Sequence, residues 1–527
     1  MSLPDIVARL APSDEQLSPV ISDGCDIAVT AGAGTGKTRT LVGRYLRLLA
    51  AQVPLRGIIA ITFTRKAARE MRGRVREAVR RYLDTTPPDA LYWERVYQDL
   101  DAARIGTIHS LCGEILRRHP AEAGVDPAFL QMEEGALALE RARAITAALA
   151  WAADDPAASA LFDSYTDRSL RRLLESALNR RLELGSLEPP TSEEAWARWR
   201  AAIAGYLSRA LSAAAIASPL AALGDVRDSG LLAEGLAAGD KLAPLIQQVL
   251  ACSERLQQCL RCEEIERLPE TMRSLGAALR GGNAGRAAVW GDSGAKEAYA
   301  ALRKASGDLV GLAGKDDCTW MDATLAGEVL PAFWLLYRQA LGHYRGALSQ
   351  LNALDYDDLE ERTLALLLAH PHVLEEWRET VQAILVDEFQ DTNGRQRDLV
   401  QALNGDRGRL FIVGDGKQSI YGFRGADVTV FREEHARIDR SGQAHVLKVT
   451  YRAHPDLVSA HGAMLAPLLG AQPDPERPYV EPYAHARSGR PGPAVGNAPP
   501  YVEVILGAGT GQSGAPGLAA RALVNRL

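Results

Sequence analysis

The chain has 527 residues, which is enough for about three domains. Its 47% hydrophobic and 24% charged residues exclude a disordered chain, and its size excludes a miniature disulfide-stapled scaffold. A net charge of −6 argues against coating nucleic acid by bulk charge, although it is compatible with a local basic groove. Six cysteines form no disulfide framework, and neither a signal peptide nor an apolar run of about 18 residues occurs. We therefore expect a cytoplasmic protein with no membrane contact.

Three zones differ in their hydrophobic patterns. Residues 1–118 and 353–440 alternate short β-branched runs with helical periodicity, which predicts one α/β domain built on a parallel sheet. Residues 119–352 are rich in alanine and leucine and predict a large helical insertion. Residues 441–527, which include a proline-rich segment, are expected to begin a further α/β domain. The predicted strands are Asp26–Thr30, Ile58–Thr62, Ile105–Ile108, Val381–Val386, Leu410–Gly414, Val446–Val449 and Tyr501–Leu506, and Leu518–Leu527 begins a helical pattern.

A glycine-rich loop follows the first predicted strand and leads into a helix. Its backbone N–H groups can turn inward around phosphate oxygens, and the helix N-terminus favours negative charge. We expect Lys37 to reach the β- and γ-phosphates of ATP and the Thr38 hydroxyl to ligate Mg²⁺. Ala31 stands where the general loop pattern has a glycine, but a plain glycine turn does not explain the Lys-Thr pair. The expected phosphate-binding residues are Ala31, Gly32, Ala33, Gly34, Thr35, Gly36, Lys37 and Thr38.

Acidic and polar residues follow two later strands. Asp387 and Glu388 end an apolar run, so we expect them at the carboxyl edge of the sheet, where open α/β sheets bind ligands. Asp387 is expected to hold Mg²⁺ through its water shell, and Glu388 to orient the attacking water. The loop after Leu410–Gly414 contains Gln418, which can donate to a γ-phosphate. It also contains aromatic and cationic side chains that can stack on bases, namely Tyr421, Phe423 and Arg424.

Together these segments resemble the motifs of the superfamily 1A DNA helicases, the UvrD, Rep and PcrA group, with details that favour the RecB and AddA branch. The resemblance implies a RecA-like fold for the first α/β domain and the start of a second RecA-like domain after it. The matching segments, in chain order, are Asp14–Gln16 (Q motif), Thr62–Met71 (motif Ia), Gly106–Ser110 (motif Ib), Leu354–Glu360 (the segment before motif II), Asp387–Asn393 (motif II), Gly414–Asp427 (motif III) and Val449–Arg452 (motif IV).

The resemblance also implies roles for individual side chains. Gln16 and Arg39 are expected to contact adenine, Tyr451 to stack on it, and Arg452 to act as an arginine finger. Ordinary core packing remains the alternative for Phe63 and Tyr421. The residues expected to face single-stranded DNA are Phe63, Thr64, His109, Tyr421, Phe423 and Arg424.

The function implied is that of an ATP-dependent 3′-to-5′ DNA helicase or translocase in repair or recombination. Its expected partners are single-stranded DNA, single/double-strand junctions and a nuclease or helicase subunit. The family's motifs V and VI do not occur before Leu527. The chain is thus a truncation of a longer helicase, a half completed by another polypeptide, or a reduced protein. We favour truncation, because the last helical pattern has no cap. The alternative function is an ATP-gated DNA-binding or regulatory subunit that cannot unwind DNA alone.

Overall fold

The computed structural model describes residues 3–184, 191–262, 264, 267–280, 285–307, 329–422, 425–441, 443–472 and 480–492. The chain divides into two compact units, the first formed by Met1–Met132 with Asn352–Leu527 and the second by Glu133–Leu351. Phe423, Arg424 and the patterns at Tyr501–Leu506 and Leu518–Leu527 lie outside the described residues.

The first unit contains ten strands, and its helices come both before and after the second unit in the sequence. Its strands are β1 (Ile27–Ala31), β2 (Ile58–Ile61), β3 (Arg104–Gly106), β4 (Leu130–Gln131), β5 (Ala353–Leu354), β6 (Ala383–Val386), β7 (Leu410–Gly414), β8 (Ala444–Leu447), β9 (Val449–Thr450) and β10 (Arg487–Ser488), as counted over the described ranges. Its helices before the second unit are α1 (Asp5–Ala8), α2 (Asp14–Ile21), α3 (Lys37–Ala50), α4 (Arg65–Leu83), α5 (Ala90–Asp99), α6 (Ile108–Arg118) and α7 (Pro120–Ala123).

The second unit is helical over its described residues. Its helices are α8 (Glu134–Asp154), α9 (Leu161–Ser164), α10 (Asp167–Asn179), α11 (Arg181–Leu184), α12 (Ser192–Ser212), α13 (Ala214–Asp228), α14 (Leu231–Ala237), α15 (Ala243–Arg261), α16 (Leu268–Arg280), α17 (Ala287–Trp290), α18 (Ala295–Ala305) and α19 (Leu330–Gln350). The first unit then resumes with α20 (Tyr356–Ala369), α21 (Pro371–Thr380), α22 (Gly394–Asn404), α23 (Val428–Asp439) and α24 (Pro455–Leu469).

Six strands of the first unit form one parallel sheet in the order β3-β2-β6-β7-β1-β8. The parallel α/β prediction is therefore confirmed. Because successive side chains alternate between faces, each central strand contributes to two cores. Val29 of β1 packs with Leu41 and Val75 on one face, whereas Ile384 of β6 packs with Leu399 on the other. The sheet is thus covered by helices on both faces, and its carboxyl edge remains for the loops that follow β1, β6 and β7.

Two boundaries differ from those expected. The second unit begins at Glu133, not at residue 119, because residues 119–132 pack with the first unit. The indole of Trp377 donates to His119 Nε2 (3.2 Å), and β4 pairs in parallel with β5. Residues 444–447, expected in the second α/β domain, form β8 and pair with β1 at the edge of the first sheet. In both segments the pairing partner is a strand far away in the sequence, which no local pattern identifies.

The second unit has two hydrophobic cores of its own. One surrounds Trp290 and Tyr299, and the other lies between α8, α10 and α19. No single helix within the described ranges is long and apolar enough to cross a bilayer, and α12 with α13 reaches that length only across a 62° bend. Leu223 and Val226 of α13 are buried in the first of these cores.

Candidate nucleotide and DNA site

The loop between β1 and α3 has the backbone geometry of a phosphate cradle. Gly34 and Gly36 adopt left-handed conformations, with φ of 78° and 95°, which other residues rarely adopt. Space is also limiting, because a Cβ on Gly36 would lie 2.3 Å from Gln16 Nε2. Gly36 is the N-cap of α3, so Lys37 and Thr38 occupy the first turn of that helix. The open N–H groups of this turn face the region where the residues of the phosphate loop converge.

The residues expected to read adenine surround this loop. Gln16 is 2% exposed; its Nε2 donates to the Thr35 carbonyl (2.8 Å) and its Oε1 accepts from Ser13 N (3.2 Å). The exposed Arg39 donates to the Leu10 carbonyl. The amide of Gln16 therefore braces the phosphate loop, whereas adenine contact by Gln16 and Arg39 stays a prediction.

Lys37 and Glu388 meet at the carboxyl edge of the sheet. Lys37 Nζ lies 2.6 Å from Glu388 Oε2, although 351 residues separate them in sequence. Glu388 has a φ of 52°, a left-handed conformation that costs a non-glycine residue about 1–3 kcal/mol and is typical of functional sites. The Glu388 carboxylate therefore lies beside the first residue of α3, directly after the phosphate loop.

The neighbouring carboxyls have perturbed acidities. Burial, and next the charge of Glu388, raise the pKa of Asp387 to about 6, against an opposing effect of Lys37. Burial and Glu388 likewise raise the pKa of Asp391 to about 6. Asp391 Oδ1 is buried and has no hydrogen-bond partner among the described residues. Among the described residues, no three acidic, histidine or cysteine side chains converge as a metal site would require, so Mg²⁺ binding by Asp387 stays a prediction.

Gln390 links this carboxylate cluster to the loop that follows β7. Its Nε2 donates to Glu388 Oε2 (2.9 Å), and its Oε1 accepts from the backbone N–H of Asp415 (2.9 Å). Asp415 in turn accepts from Gln418 Nε2 (2.7 Å) and lies beside Gly32 of the phosphate loop. Gln418 therefore reaches the phosphate loop through Asp415.

Phe63, which follows β2, and Tyr421, in the loop after β7 (the β7 loop), form an aromatic pair. Their ring centroids are 4.5 Å apart and their planes differ by 26°, so the rings are stacked. Both are half-buried. Thr64 caps α4 by accepting from Ala67 N (3.0 Å). Neither ring is fully buried, and stacking of a base on this pair stays a prediction.

His109 is held by a buried carboxylate. Its Nε2 lies 3.0 Å from Oε1 of Glu360, which is 3% exposed. Gln396 and Asn393 also donate to Glu360 (2.6 and 3.4 Å). Burial alone would raise the pKa of Glu360, but the hydrogen bond from His109 and those from the two amides bring it below its ordinary value. His109 is thereby tied to the helix that follows motif II.

The segment around β9 lies directly over the phosphate loop. Thr450 Oγ1 donates to the Ala33 carbonyl (2.9 Å), and Tyr451 N donates to the Gly34 carbonyl (2.9 Å). A Cβ on Gly34 would lie 2.4 Å from Arg452 Cβ. Glu15 accepts from the backbone N–H groups of Lys448 and Val449 (2.9 and 3.2 Å), which fixes the start of this segment. Arg452 and the exposed Tyr451 therefore begin within reach of the nucleotide site.

The family follows from sequence comparison. The family model described as the UvrD/REP helicase N-terminal domain matches residues 13–255 and 331–439. The chain belongs to the UvrD/REP helicase family. This confirms the resemblance found in the motifs.

Curated relatives place the chain on the AddA side of the family. It is 30% identical over 462 residues to an ATP-dependent helicase/nuclease subunit from Exiguobacterium sibiricum, covering 81% of this chain and 37% of that relative. The proteins of the same name from Geobacillus thermodenitrificans and Bacillus velezensis are 28% and 26% identical. Each of those two matches covers 87% of this chain, with 39% and 40% of the relative. The chain thus spans about two fifths of the length of these relatives.

Several residues of the site were not predicted from the sequence. Gln390, Glu360 and Glu15 each join two segments that lie far apart in the chain. The one available signal was position, because all three lie inside motif-like segments next to residues that were predicted. Their buried or bridging roles depend on contacts that no local pattern encodes.

Proposed function

We propose that this chain is the ATP-binding and DNA-contacting part of a helicase or translocase. It hydrolyses ATP and moves 3′ to 5′ along single-stranded DNA in repair or recombination. The observation that carries the proposal is the pairing of Lys37 with Glu388 (2.6 Å) at the edge of a parallel sheet. Two loops at the same edge, after β2 and after β7, bring together an aromatic pair suited to bases, Phe63 with Tyr421. ATP and single-stranded DNA would therefore contact neighbouring loops.

Each side chain of the nucleotide site has a defined part in this proposal. Lys37 and the N–H groups of residues 32–38 hold the phosphates. Glu388 accepts the proton of the attacking water, while Gln418 and Arg452 contact the γ-phosphate. Thr38 and Asp387 would hold Mg²⁺, which supplies positive charge to the phosphate oxygens. Adenine lies against Gln16, Arg39 and Tyr451.

Single-stranded DNA follows the loops at the same edge. Bases stack on Phe63 and Tyr421, and the phosphates contact Thr64, His109 and the start of α4. Phe423 and Arg424, which lie outside the described residues, are proposed as further DNA contacts. Arg65 and Arg69 are exposed on α4, which supports phosphate contact near Phe63, whereas Arg72 and Arg76 are bonded to Ile105 and Asp101. We propose further that the chain meets junction DNA and a nuclease or helicase subunit, and that it works in the cytoplasm.

Steady-state ATP hydrolysis, with and without single-stranded DNA, tests the proposal. We expect DNA to stimulate turnover by the purified chain and Lys37→Ala to abolish it. Lys304→Ala, at an exposed position of α18, is the matched control and should behave as the parent chain. Absence of ATP binding by the parent chain would contradict the proposal.

A second candidate function is an ATP-gated DNA-binding or regulatory subunit. The observation that favours it is the hydrogen bonding of Thr450 and Tyr451 to the phosphate-loop carbonyls (both 2.9 Å), which sets Arg452 against Gly34. Such a protein would bind ATP and DNA but show little turnover, whether or not DNA is present. The same assay therefore separates the two functions.

A further inference from the structure

We propose that Gln390 is a positioning residue that couples DNA occupancy at the Phe63–Tyr421 pair to the placement of the Glu388 carboxylate. The inference rests on the proposed function and adds a specific connection within it. Gln390 contacts neither phosphate nor DNA in this role; it acts through Glu388 on one side and through the β7 loop on the other.

The first step is the orientation of Glu388. Two donors reach its Oε2 atom, Lys37 Nζ at 2.6 Å and Gln390 Nε2 at 2.9 Å. The Lys37 ammonium is expected to turn to the phosphates once ATP binds, because their charge exceeds that of one carboxylate. Gln390 is then the remaining side-chain donor, among those the structure describes, that holds Glu388 in its left-handed turn.

The second step is the attachment to the β7 loop. Gln390 Oε1 accepts from Asp415 N (2.9 Å), and the Gln390 carbonyl accepts from Ser419 Oγ (3.2 Å). The side chain is 1% exposed, so losing its contact with Asp415 N leaves a buried polar group unsatisfied. A Cβ on Gly414 would lie 2.9 Å from Gln390 Oε1, so the end of β7 passes close to this amide.

The third step reaches the DNA side. Ser419 is two residues from Tyr421, whose ring stacks on Phe63 at 4.5 Å. A base that inserts against this pair moves the loop, and the loop is bonded to both ends of Gln390. Movement of the loop on the DNA side is therefore transmitted to Glu388 through the Gln390 side chain. Because such coupling is reciprocal, ATP changes the affinity for DNA by the same factor as DNA changes the affinity for ATP.

Gln390→Met tests the inference because it keeps the length of the side chain and removes its hydrogen bonds to Glu388, to Asp415 N and to Asp391 Oδ2 (3.3 Å). The measurement is the dissociation constant of a fluorescent oligo-dT, with and without a non-hydrolysable ATP analogue and Mg²⁺. We expect the analogue to change this constant at least about fivefold in the parent chain and less than about twofold in Gln390→Met. Affinity for each ligand alone should stay within about threefold of the parent value.

Two further variants separate coupling from folding. Ser419→Ala removes only the hydrogen bond from Ser419 Oγ to the Gln390 carbonyl. The coupling ratio is the factor by which the ATP analogue changes the oligo-dT dissociation constant, and this variant should reduce its logarithm by about half. Gln401→Met is the matched control, since Gln401 is a half-buried glutamine that bonds to Glu434 away from the site. It should retain the parent ratio.

The outcomes distinguish this inference from the proposed function. Failure of the parent chain to bind ATP or DNA would overturn the proposed function. Binding of both without linkage in the parent chain would overturn the coupling alone. Retention of the parent ratio in a folded Gln390→Met, or in Ser419→Ala if Gln390→Met does not fold, would also overturn it. A lowered ratio in both variants with an unchanged control supports it.

Discussion

The Lys37 ammonium and the Glu388 carboxylate are 2.6 Å apart and neutralise each other at the edge of the sheet. Under the proposed function, ATP competes for this lysine, so the pair sets part of the cost of nucleotide binding. Opening the pair would also free Glu388 to accept a proton from the attacking water. We therefore propose that the contact keeps this carboxylate occupied until phosphate arrives.

Replacing Lys37 with alanine should weaken ATP binding more than tenfold, because the phosphates lose their nearest cation. Equilibrium binding of a fluorescent ATP analogue measures this directly. Single-stranded DNA affinity in the absence of nucleotide should remain close to that of the parent chain. A variant that binds the analogue normally would contradict the assignment of Lys37.

Glu388→Gln should separate binding from hydrolysis. The amide cannot accept the proton of the attacking water, so we expect kcat to fall by about 10²–10⁴, while ATP affinity is unchanged or tighter because a negative charge is removed. Single-turnover hydrolysis and analogue binding report the two effects. Glu379→Gln, at an exposed position of α21, serves as the control. Equal loss of binding and turnover would speak against the role of Glu388.

Asp387 should make stability depend on pH. Burial and Glu388 raise its folded-state pKa to about 6, above the ordinary 3.8. The stabilisation from its protonated form is therefore present at low pH and is lost as pH rises through about 6. Without nucleotide or divalent cation, Asp387→Asn should stabilise the chain by about 1–3 kcal/mol at pH near 8, and less at pH near 5. Urea midpoints at both pH values measure this, and an equal gain at both would contradict it.

Phe63→Ala and Tyr421→Ala should each weaken single-stranded DNA binding by about 1–3 kcal/mol. Because the rings stack on each other at 4.5 Å, the double variant should cost less than the sum of the two. Tyr97→Ala removes a ring on α5 that packs under Arg76 of α4, and it should leave DNA affinity unchanged. Fluorescence anisotropy with oligo-dT gives all four values, and strict additivity would argue against a joint stacking surface.

His109→Ala should destabilise the first unit by about 1–3 kcal/mol, because the buried Glu360 carboxylate then loses the hydrogen bond from His109 Nε2 (3.0 Å). Adding Glu360→Gln to this variant removes the buried charge and should recover part of the loss. A double-mutant cycle of urea unfolding measures the coupling energy. If the double variant is less stable than His109→Ala, the pair does not act as described.

Much of the fold and the outline of the site were predictable because they rest on local signals. β1, β2, β6 and β7 are short apolar runs, and all four lie within one or two residues of their predicted positions. The loops carrying Lys37, Glu388 and Gln418 follow from these strands, since parallel strands present their carboxyl ends together. The roles of individual site residues remain predictions.

The unpredicted features depend on tertiary contacts. β8 pairs with β1, a strand some four hundred residues earlier, and its partly exposed face gives a weak pattern. Gln390 and Glu360 are significant only because folding buries them against Asp415 and His109. A polar side chain in sequence has the same appearance whether it faces solvent or joins two loops.

The short β4–β5 pair has a consequence for how such a motor can change. Leu130 pairs with Ala353 and Gln131 with Leu354, so the chain leaves and re-enters the first unit at adjacent points. Leu130 N also donates to the Asn352 carbonyl (2.8 Å), which joins the two points where the chain leaves and re-enters the first unit. The chain connections into and out of the helical second unit therefore both start from this short pair of strands. Segments of the second unit can be lengthened, exchanged or remodelled in evolution while the connectivity of the parallel sheet is unchanged.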